Sequence, residues 1–273
     1  MKTSSHKGLG LQLSLAASTF LAAMGTSIPN IALPTLAREL PPSSTGVQWV
    51  IVTYLLANTL TIVTVGRVGD LFGKRRVLLL GALLFSLGAI LGGLAPFLGF
   101  LLFARTLQGI GSAALLAMST ALIGELMPPE KMGRAMGLLG TSSAVGTASG
   151  PSLGGFLLSS LGWESIFFFM GALGMLSFAT SLAVLPQSDD RGSAARGAFD
   201  HGGVLLLSLT LVSFTLAASH SAGLGTESRL GLFVLAAILG LSLLNHERRA
   251  ESPLIPFAVF GASNLASNFI ANG

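Results

Sequence analysis

The stretch GRVGDLFGKRR, Gly66 to Arg76, places five charges in eleven positions, four of them positive, in a chain where only 10% of residues are charged. On either side lie apolar segments: residues 40–66 and 77–104 carry no charge. The cluster therefore reads as a polar connection between two greasy elements. The pattern repeats, with further charge-free runs at 8–37, 106–124, 135–163, 165–188, 201–226 and 230–246. At about 1.5 Å per helical residue, each can cross or nearly cross a hydrocarbon core of about 30 Å. They predict eight spanning helices, at about residues 11–33, 47–66, 77–95, 98–121, 135–158, 165–185, 202–219 and 229–245.

Composition demands the same environment. Apolar residues make up 51% of the 273 and the mean hydropathy is +0.77, while a soluble chain is about a quarter charged. This one cannot clothe itself for water, so most of its surface meets the lipid bilayer. The fold class is an all-α polytopic membrane protein, because barrel strands would run for only about 10 residues with alternating polarity. Lys2 and Lys7 precede the first run as in a signal peptide, but the run is too long for a signal core and more spans follow. The 35 glycines suit close helix packing in lipid.

Several functions are excluded. There is no cysteine, and the four histidines at 6, 201, 220 and 246 are dispersed, so no metal site and no thiol chemistry is expected. The basic residues are scattered between apolar runs, which argues against nucleic acid. No phosphate-binding G-x-x-x-x-G-K-[ST] occurs, and no acid pair or catalytic dyad lies in the spans. The chain is expected to be neither an enzyme nor a cofactor carrier.

Charge asymmetry orients the spans. With the amino terminus inside, Lys2, Lys7, Arg67, Lys74, Arg75, Arg76, Lys131, Arg134, Arg191, Arg196, Arg248 and Arg249 lie inside, against Arg38 and Arg229 outside. Such a bias marks cytoplasmic loops and a cytoplasmic amino terminus in the cell membrane. Trp49 and Trp163 fall at the outer ends of the second and sixth spans, as interfacial indoles do. The polar stretch 186–203 reads as a cytoplasmic linker between a six-helix unit, 1–185, and an extra helix pair, 204–245. Residues 246–273 read as a cytoplasmic loop followed by the start of an unfinished helix.

Four motifs now carry a resemblance. GRVGDLFGKRR resembles the signature loop of the major facilitator superfamily, G-x-[LA]-[AG]-D-[RK]-[FY]-G-[RK]-[RK], with mild departures at Val68 and Leu71. FARTLQGIGSAA (103–114) resembles its fourth-helix R-x-x-Q-G motif, and GTASGPSLGG (146–155) its fifth-helix antiporter motif, G-x-x-x-G-P-x-x-G-G. MGTSIPNIALP (24–34) with QWVIVTYLLA (48–57), and the extra helix pair, are similar to the fourteen-span drug:proton antiporters. The resemblance covers essentially the whole chain. It implies a six-helix amino-terminal bundle plus two additional transmembrane helices, and secondary active export of a small molecule by alternating access.

The resemblance also implies roles. Gly66, Gly69, Asp70, Gly73, Lys74, Arg75 and Arg76 would form a gating loop that engages a second bundle. Arg105, the one charge well inside a span, must face a cavity or a partner, and the family implies proton coupling there with Gln108 one turn on. Asn30 and Tyr54 are the expected cavity residues among Thr26, Asn30, Gln48, Tyr54 and Asn58. Gly146, Gly150, Pro151, Gly154 and Gly155 would make a hinge and a packing seam between bundles.

Two departures matter. The family's first helix usually carries Leu-Asp where this chain has Met24-Gly25, and no Asp or Glu lies clearly within a span. Coupling to protons through this bundle is thereby in doubt, and a neutral or anionic substrate gains weight. The second six-helix bundle is not present, so the sequence reads as the amino-terminal portion of a transporter. The alternative is a truncated, non-transporting membrane protein, inert or assembling with a complementary half.

Overall fold

A computed structural model describes residues 2–40, 46–186, 200–218 and 225–247. Most of the expected linker and tail, including Arg191, Arg196, Arg248 and Arg249, lies outside the described residues. Those residues are helical, with no strand among them, and form two compact units. The first holds α1 (Lys2–Ser27), a 3-10 turn (Ile28–Ala32), α2 (Leu33–Glu39), α3 (Trp49–Phe72), α4 (Lys74–Gly93), α5 (Leu98–Leu126), α6 (Pro129–Leu161) and α7 (Glu164–Val184). The second is a hairpin of α8 (His201–Ala218) and α9 (Thr226–Glu247).

Among the described residues five helical stretches are long and apolar enough to span a bilayer, the first running Gly8–Glu39 through α1, the turn and α2, and α3 makes a sixth if its two halves, bent by 50°, count as one. The other two expected spans fall short for different reasons. Helix α6 has 33 residues but is diluted with Gly, Ser and Thr, while the apolar part of α8, Gly202–Ala218, has only 17.

The first unit is apolar inside and out. Leu15, Leu21, Met24, Phe85, Leu101, Leu115 and Phe167 are buried, while Leu80, Leu87, Phe103, Phe156 and Leu176 are more than half exposed. Lipid offers no hydrophobic drive between helices, so close approach and polar contacts must hold them. Glycines supply the approach. A Cβ on Gly88 of α4 would come within 2.6 Å of the Gln108 amide of α5, and one on Gly109 within 2.5 Å of the Tyr54 carbonyl of α3. Helix α7 seats on α4 where Gly171 meets Ile90 and Gly174 meets Ser86. Serines add hydrogen bonds between α1 and α7: Ser14 to Ser181 at 2.9 Å and Ser18 to Ser177 at 3.0 Å.

The packing of α6 on α1 corrects an expectation. Gly146, Gly150 and Gly154 meet Phe20, Ser27 and Ile28 of the same unit, so this stripe is already filled and is not free to form a seam with another bundle. Pro151 and Gly155 face the other way: Pro151 is exposed, and a Cβ on Gly155 would touch nothing. The proline acts through what it withholds. In an α-helix the carbonyl of residue 147 accepts from the N–H of residue 151, and proline has none. The freed Thr147 carbonyl instead accepts from Ser27 Oγ at 2.7 Å.

The hairpin is clasped at both ends. Arg229 Nε donates to the Ala217 carbonyl near the last turn of α8, 3.0 Å away. At the other end Asp200 Oδ1 accepts from the Gly203 N–H and pairs with His246 Nε2, both at 2.8 Å. Burial alone would raise the Asp200 carboxyl, but the Gly203 and His246 hydrogen bonds, the His246 charge and the Gly202 N–H together hold it below the usual carboxylate range.

These contacts generate two predictions. Ser27→Ala strands the Thr147 carbonyl and should cost about 1–2 kcal/mol in thermal unfolding of the detergent-solubilised chain. In a Pro151→Ala background the alanine N–H restores the helical donor, and the same Ser27 substitution should cost clearly less. For the hairpin, a depressed folded carboxyl stabilises above the unfolded value of about 4 and loses that contribution as pH falls through the folded value. Protection factors of α8 amides, taken relative to the intrinsic exchange rate at each pH, should therefore fall in acid, and Asp200→Asn should remove that fall.

Candidate functional site

The Arg105 side chain is wholly buried, and each guanidinium nitrogen has an acceptor. Nε donates to the Val50 carbonyl of α3 at 2.9 Å, Nη1 to Gln108 Oε1 at 2.6 Å and Nη2 to the Gly25 carbonyl of α1 at 3.0 Å. The Tyr54 ring covers one face, its centroid 4.1 Å from the guanidinium carbon, a favourable placing of cation over aromatic. Three helices are thus tied by one side chain.

The Gly25 acceptor has a local cause. Its carbonyl would ordinarily receive the N–H of residue 29, but that residue is Pro29, and the helix passes there into the 3-10 turn. A carbonyl without its helical donor is left for Arg105. Position 25 also needs to be small, because a Cβ would come within 2.6 Å of the Tyr54 hydroxyl.

A polar chain leads outward from this cluster. The Tyr54 hydroxyl donates to the Ala22 carbonyl at 2.8 Å and shares a 2.7 Å hydrogen bond with Ser112 Oγ. Asn58 Nδ2 donates to Ser112 Oγ at 2.8 Å. Tyr54 is therefore part of the buried cluster rather than a cavity surface, because its ring is held over Arg105 and its hydroxyl against α1. Asn30 is not brought to the cluster; it is exposed and its amide reaches back to the Thr26 carbonyl, 3.4 Å away. Ser112, Pro29 and the two backbone acceptors were not among the expected site residues. Ser112 was legible as the residue two turns after Arg105 on one helical face, and Pro29 as the proline four residues after Gly25. The Val50 carbonyl had no sequence signal.

The basic loop divides in the same way. Gly73 is the single residue between α3 and α4, with φ 93 and ψ 126, a conformation that strains any residue with a Cβ. A Cβ on Gly69 would come within 2.5 Å of Met118 Sδ, whereas one on Gly66 would touch nothing. Lys74 is paired with Glu125 of α5 at 2.7 Å, and Arg75 Nη2 caps the last turn of α7 through the Leu182 carbonyl at 2.9 Å. Asp70 and Arg76 are exposed. Two basic residues thus brace the unit, while Gly66, Asp70 and Arg76 are left on its surface.

Sequence reading placed Trp163 only as an interfacial indole. It is buried, and its Nε1 donates to Glu39 Oε2 at 2.9 Å, joining α2 to the start of α7.

The cluster predicts a graded response. Arg105→Met strands the Gln108 oxygen and the Gly25 carbonyl, and should lower stability by at least about 2 kcal/mol. Tyr54→Phe keeps the ring over the guanidinium and should cost only about 1 kcal/mol. Equal losses in thermal unfolding would show that the guanidinium is not what joins the three helices.

Residues 15–272 match the family model of the Major Facilitator Superfamily. The chain is 36% identical over 266 residues to the puromycin resistance protein pur8 of Streptomyces alboniger, covering 97% of this chain and 52% of the relative. It is 30% identical over 260 residues to the tetracenomycin C resistance and export protein of Streptomyces glaucescens, covering 94% and 48%. It spans about half the length of these curated relatives. The fold is similar to that of the proton:xylose symporter XylE bound to 6-bromo-6-deoxy-D-glucose, with a TM-score of 0.61 at 15% identity over 89% of this chain and 55% of that one. An all-helical, multi-pass membrane protein matched over nearly its whole length by this family model, the chain belongs to the Major Facilitator Superfamily.

Proposed function

We propose that this chain supplies the amino-terminal bundle and the extra helix pair of a secondary active transporter that exports small molecules by alternating access. The observation that carries the reading is the Arg105 cluster, which joins α1, α3 and α5 at one point in the bundle. A bundle tied in this way can rock against a partner bundle as a body, which is how transporters built from paired repeats expose a midplane site alternately to each side. The relatives' names, resistance and export proteins, support efflux as the direction.

On this reading the surface left uncovered is functional. Gly66 and Asp70 at one end, with Pro151 and Gly155 along α6, form the face that meets the second bundle, and Asp70 is the gating carboxylate. The Lys/Arg asymmetry puts the α3–α4 turn and the amino terminus on the cytoplasmic face of the cell membrane. The segments 186–203 and 246–273 join the hairpin to the two bundles. Protons are the candidate coupling ion, taken up outside this bundle, since its carboxylates stand at helix ends and not in the middle of a span.

Because the chain has no cysteine, single cysteines report topology directly. A cysteine at Arg76 should resist impermeant maleimides added outside intact cells, and one at Ser160 should react; the reverse pattern overturns the orientation. In proteoliposomes the 273-residue chain alone should give no saturable dye flux, with or without a pH gradient, and saturable flux would show that one bundle suffices. In a protein where the chain continues into a second bundle, Asp70→Asn should reduce flux several-fold at unchanged membrane insertion. Unchanged flux removes the gating role.

A further inference from the structure

One connection of this chain differs in composition from its neighbours. None of residues 87–104, LGAILGGLAPFLGFLLFA, has a polar side chain, and the turn between α4 and α5 lies within that run. The other connections at the same end of the bundle are polar. Arg38, Glu39 and Gln48 flank the α2–α3 segment, and Ser159, Ser160 and Glu164 flank the α6–α7 turn. The side chains of Leu94, Ala95, Pro96 and Phe97 gain nothing from water.

The backbone donors of the turn are also placed internally. The Leu94 N–H donates to the Ile90 carbonyl at 3.1 Å, the Ala95 N–H to the Gly92 carbonyl at 3.3 Å, and Pro96 has no N–H to place. A segment whose donors are paired within itself leaves bulk water at little cost. What it exposes is apolar. Leu94, Phe97 and Phe103 are more than half exposed. Phe97, Phe100 and Phe103 stand in a row along the start of α5, with successive ring centroids 6.2 and 6.5 Å apart.

Helix length sets the height of the turn. From Val77, the first residue past the basic cluster, to Gly93, α4 rises about 25 Å, less than a hydrocarbon core of about 30 Å. Gly93 is level with the first turn of α7, because a Cβ there would come within 3.1 Å of the Glu164 carbonyl. Beside Glu164, Trp163 is joined to Glu39, and an indole among charged residues marks the boundary between headgroups and acyl chains. The α4–α5 turn therefore starts at that boundary and carries no group that would draw it outward into water.

We propose that the α4–α5 turn is immersed in the interfacial layer of the bilayer, with Leu94 and the Phe97, Phe100 and Phe103 row inserted among lipid acyl chains as an anchor for the outer end of the bundle. The partner is the lipid itself. Aromatic and aliphatic side chains buried about 5–10 Å below the headgroup surface are what attach interfacial helices to membranes. Immersion does not depend on which side the turn faces; the transport reading adds only that this side is the outer one.

Single cysteines test this in a chain that has none. Leu94→Cys, Phe97→Cys and Phe103→Cys, at exposed positions outside the core, and Ser160→Cys, at the exposed end of α6, each receive a nitroxide label. The labelled chains are reconstituted in phosphatidylcholine–phosphatidylglycerol vesicles. Power-saturation electron paramagnetic resonance then compares collisions with oxygen, which concentrates in lipid, and with a nickel chelate, which stays in water. The oxygen-to-nickel ratio should be several-fold higher at positions 94 and 97 than at 160. It should be higher still at 103, about 9 Å further along α5.

Ratios at 94 and 97 equal to that at 160 put the turn in water and overturn the proposal. Low collision rates with both reagents mean that protein covers the phenylalanine row, which overturns it equally. Either result leaves the transport reading standing, because that reading fails on flux and on sidedness and not on the depth of this turn.

Discussion

A guanidinium buried in a membrane bundle has few ways to be satisfied, and the rest of this structure follows from the way chosen here. Water is scarce, and the carboxylates Glu39, Asp70 and Glu125 stand in the end turns of their helices. Backbone carbonyls are plentiful, but inside a helix each is already engaged by the N–H four residues on. Pro29 removes that donor from Gly25, and the vacated carbonyl turns to Arg105. The same device recurs where Pro151 frees the Thr147 carbonyl for Ser27. In both places a proline converts an intrahelical hydrogen bond into one between helices. That gain matters in lipid, where the hydrophobic effect does not hold helices together.

Such bonds form only if backbones come close, and the glycines meet that condition. Gly25 lets the Tyr54 hydroxyl lie against α1, Gly150 lets Ser27 reach α6, and Gly109 lets the α3 carbonyls approach α5. The glycine content and the polar contacts are thus two sides of one packing scheme. The scheme does not reach every position. It fills α1, α3, α4, α5, α6 and α7 against one another, and it leaves Gly66, Asp70, Pro151 and Gly155 without close neighbours of their own unit or exposed.

Much of this was legible in the residues. Charge-free runs placed the helices, and the motif around Arg105 marked the site, because a lone charge among apolar residues has to be housed somewhere. The antiporter stripe misled in one respect. Spacing put Gly146, Gly150 and Gly154 on one face, but spacing says nothing about which helix meets that face. Tyr54 misled similarly: an amphipathic ring suits a cavity wall or a buried hydrogen bond equally well, and only its contacts with Ala22, Ser112 and Arg105 decide between them.

The sequence by itself determined the solvent, the helical class, the backbone donors missing at the prolines, and the placing of the carboxylates away from the middle of the spans. These are local or compositional properties, set by hydropathy, backbone sterics and the missing proline donor. Only the tertiary structure decided who receives the freed carbonyls, which glycines are filled from within, and that the Val50 carbonyl completes the Arg105 shell. Those choices depend on helix rotation and register, which are fixed by contacts between residues as far apart as Gly25 and Arg105 or Ser27 and Thr147.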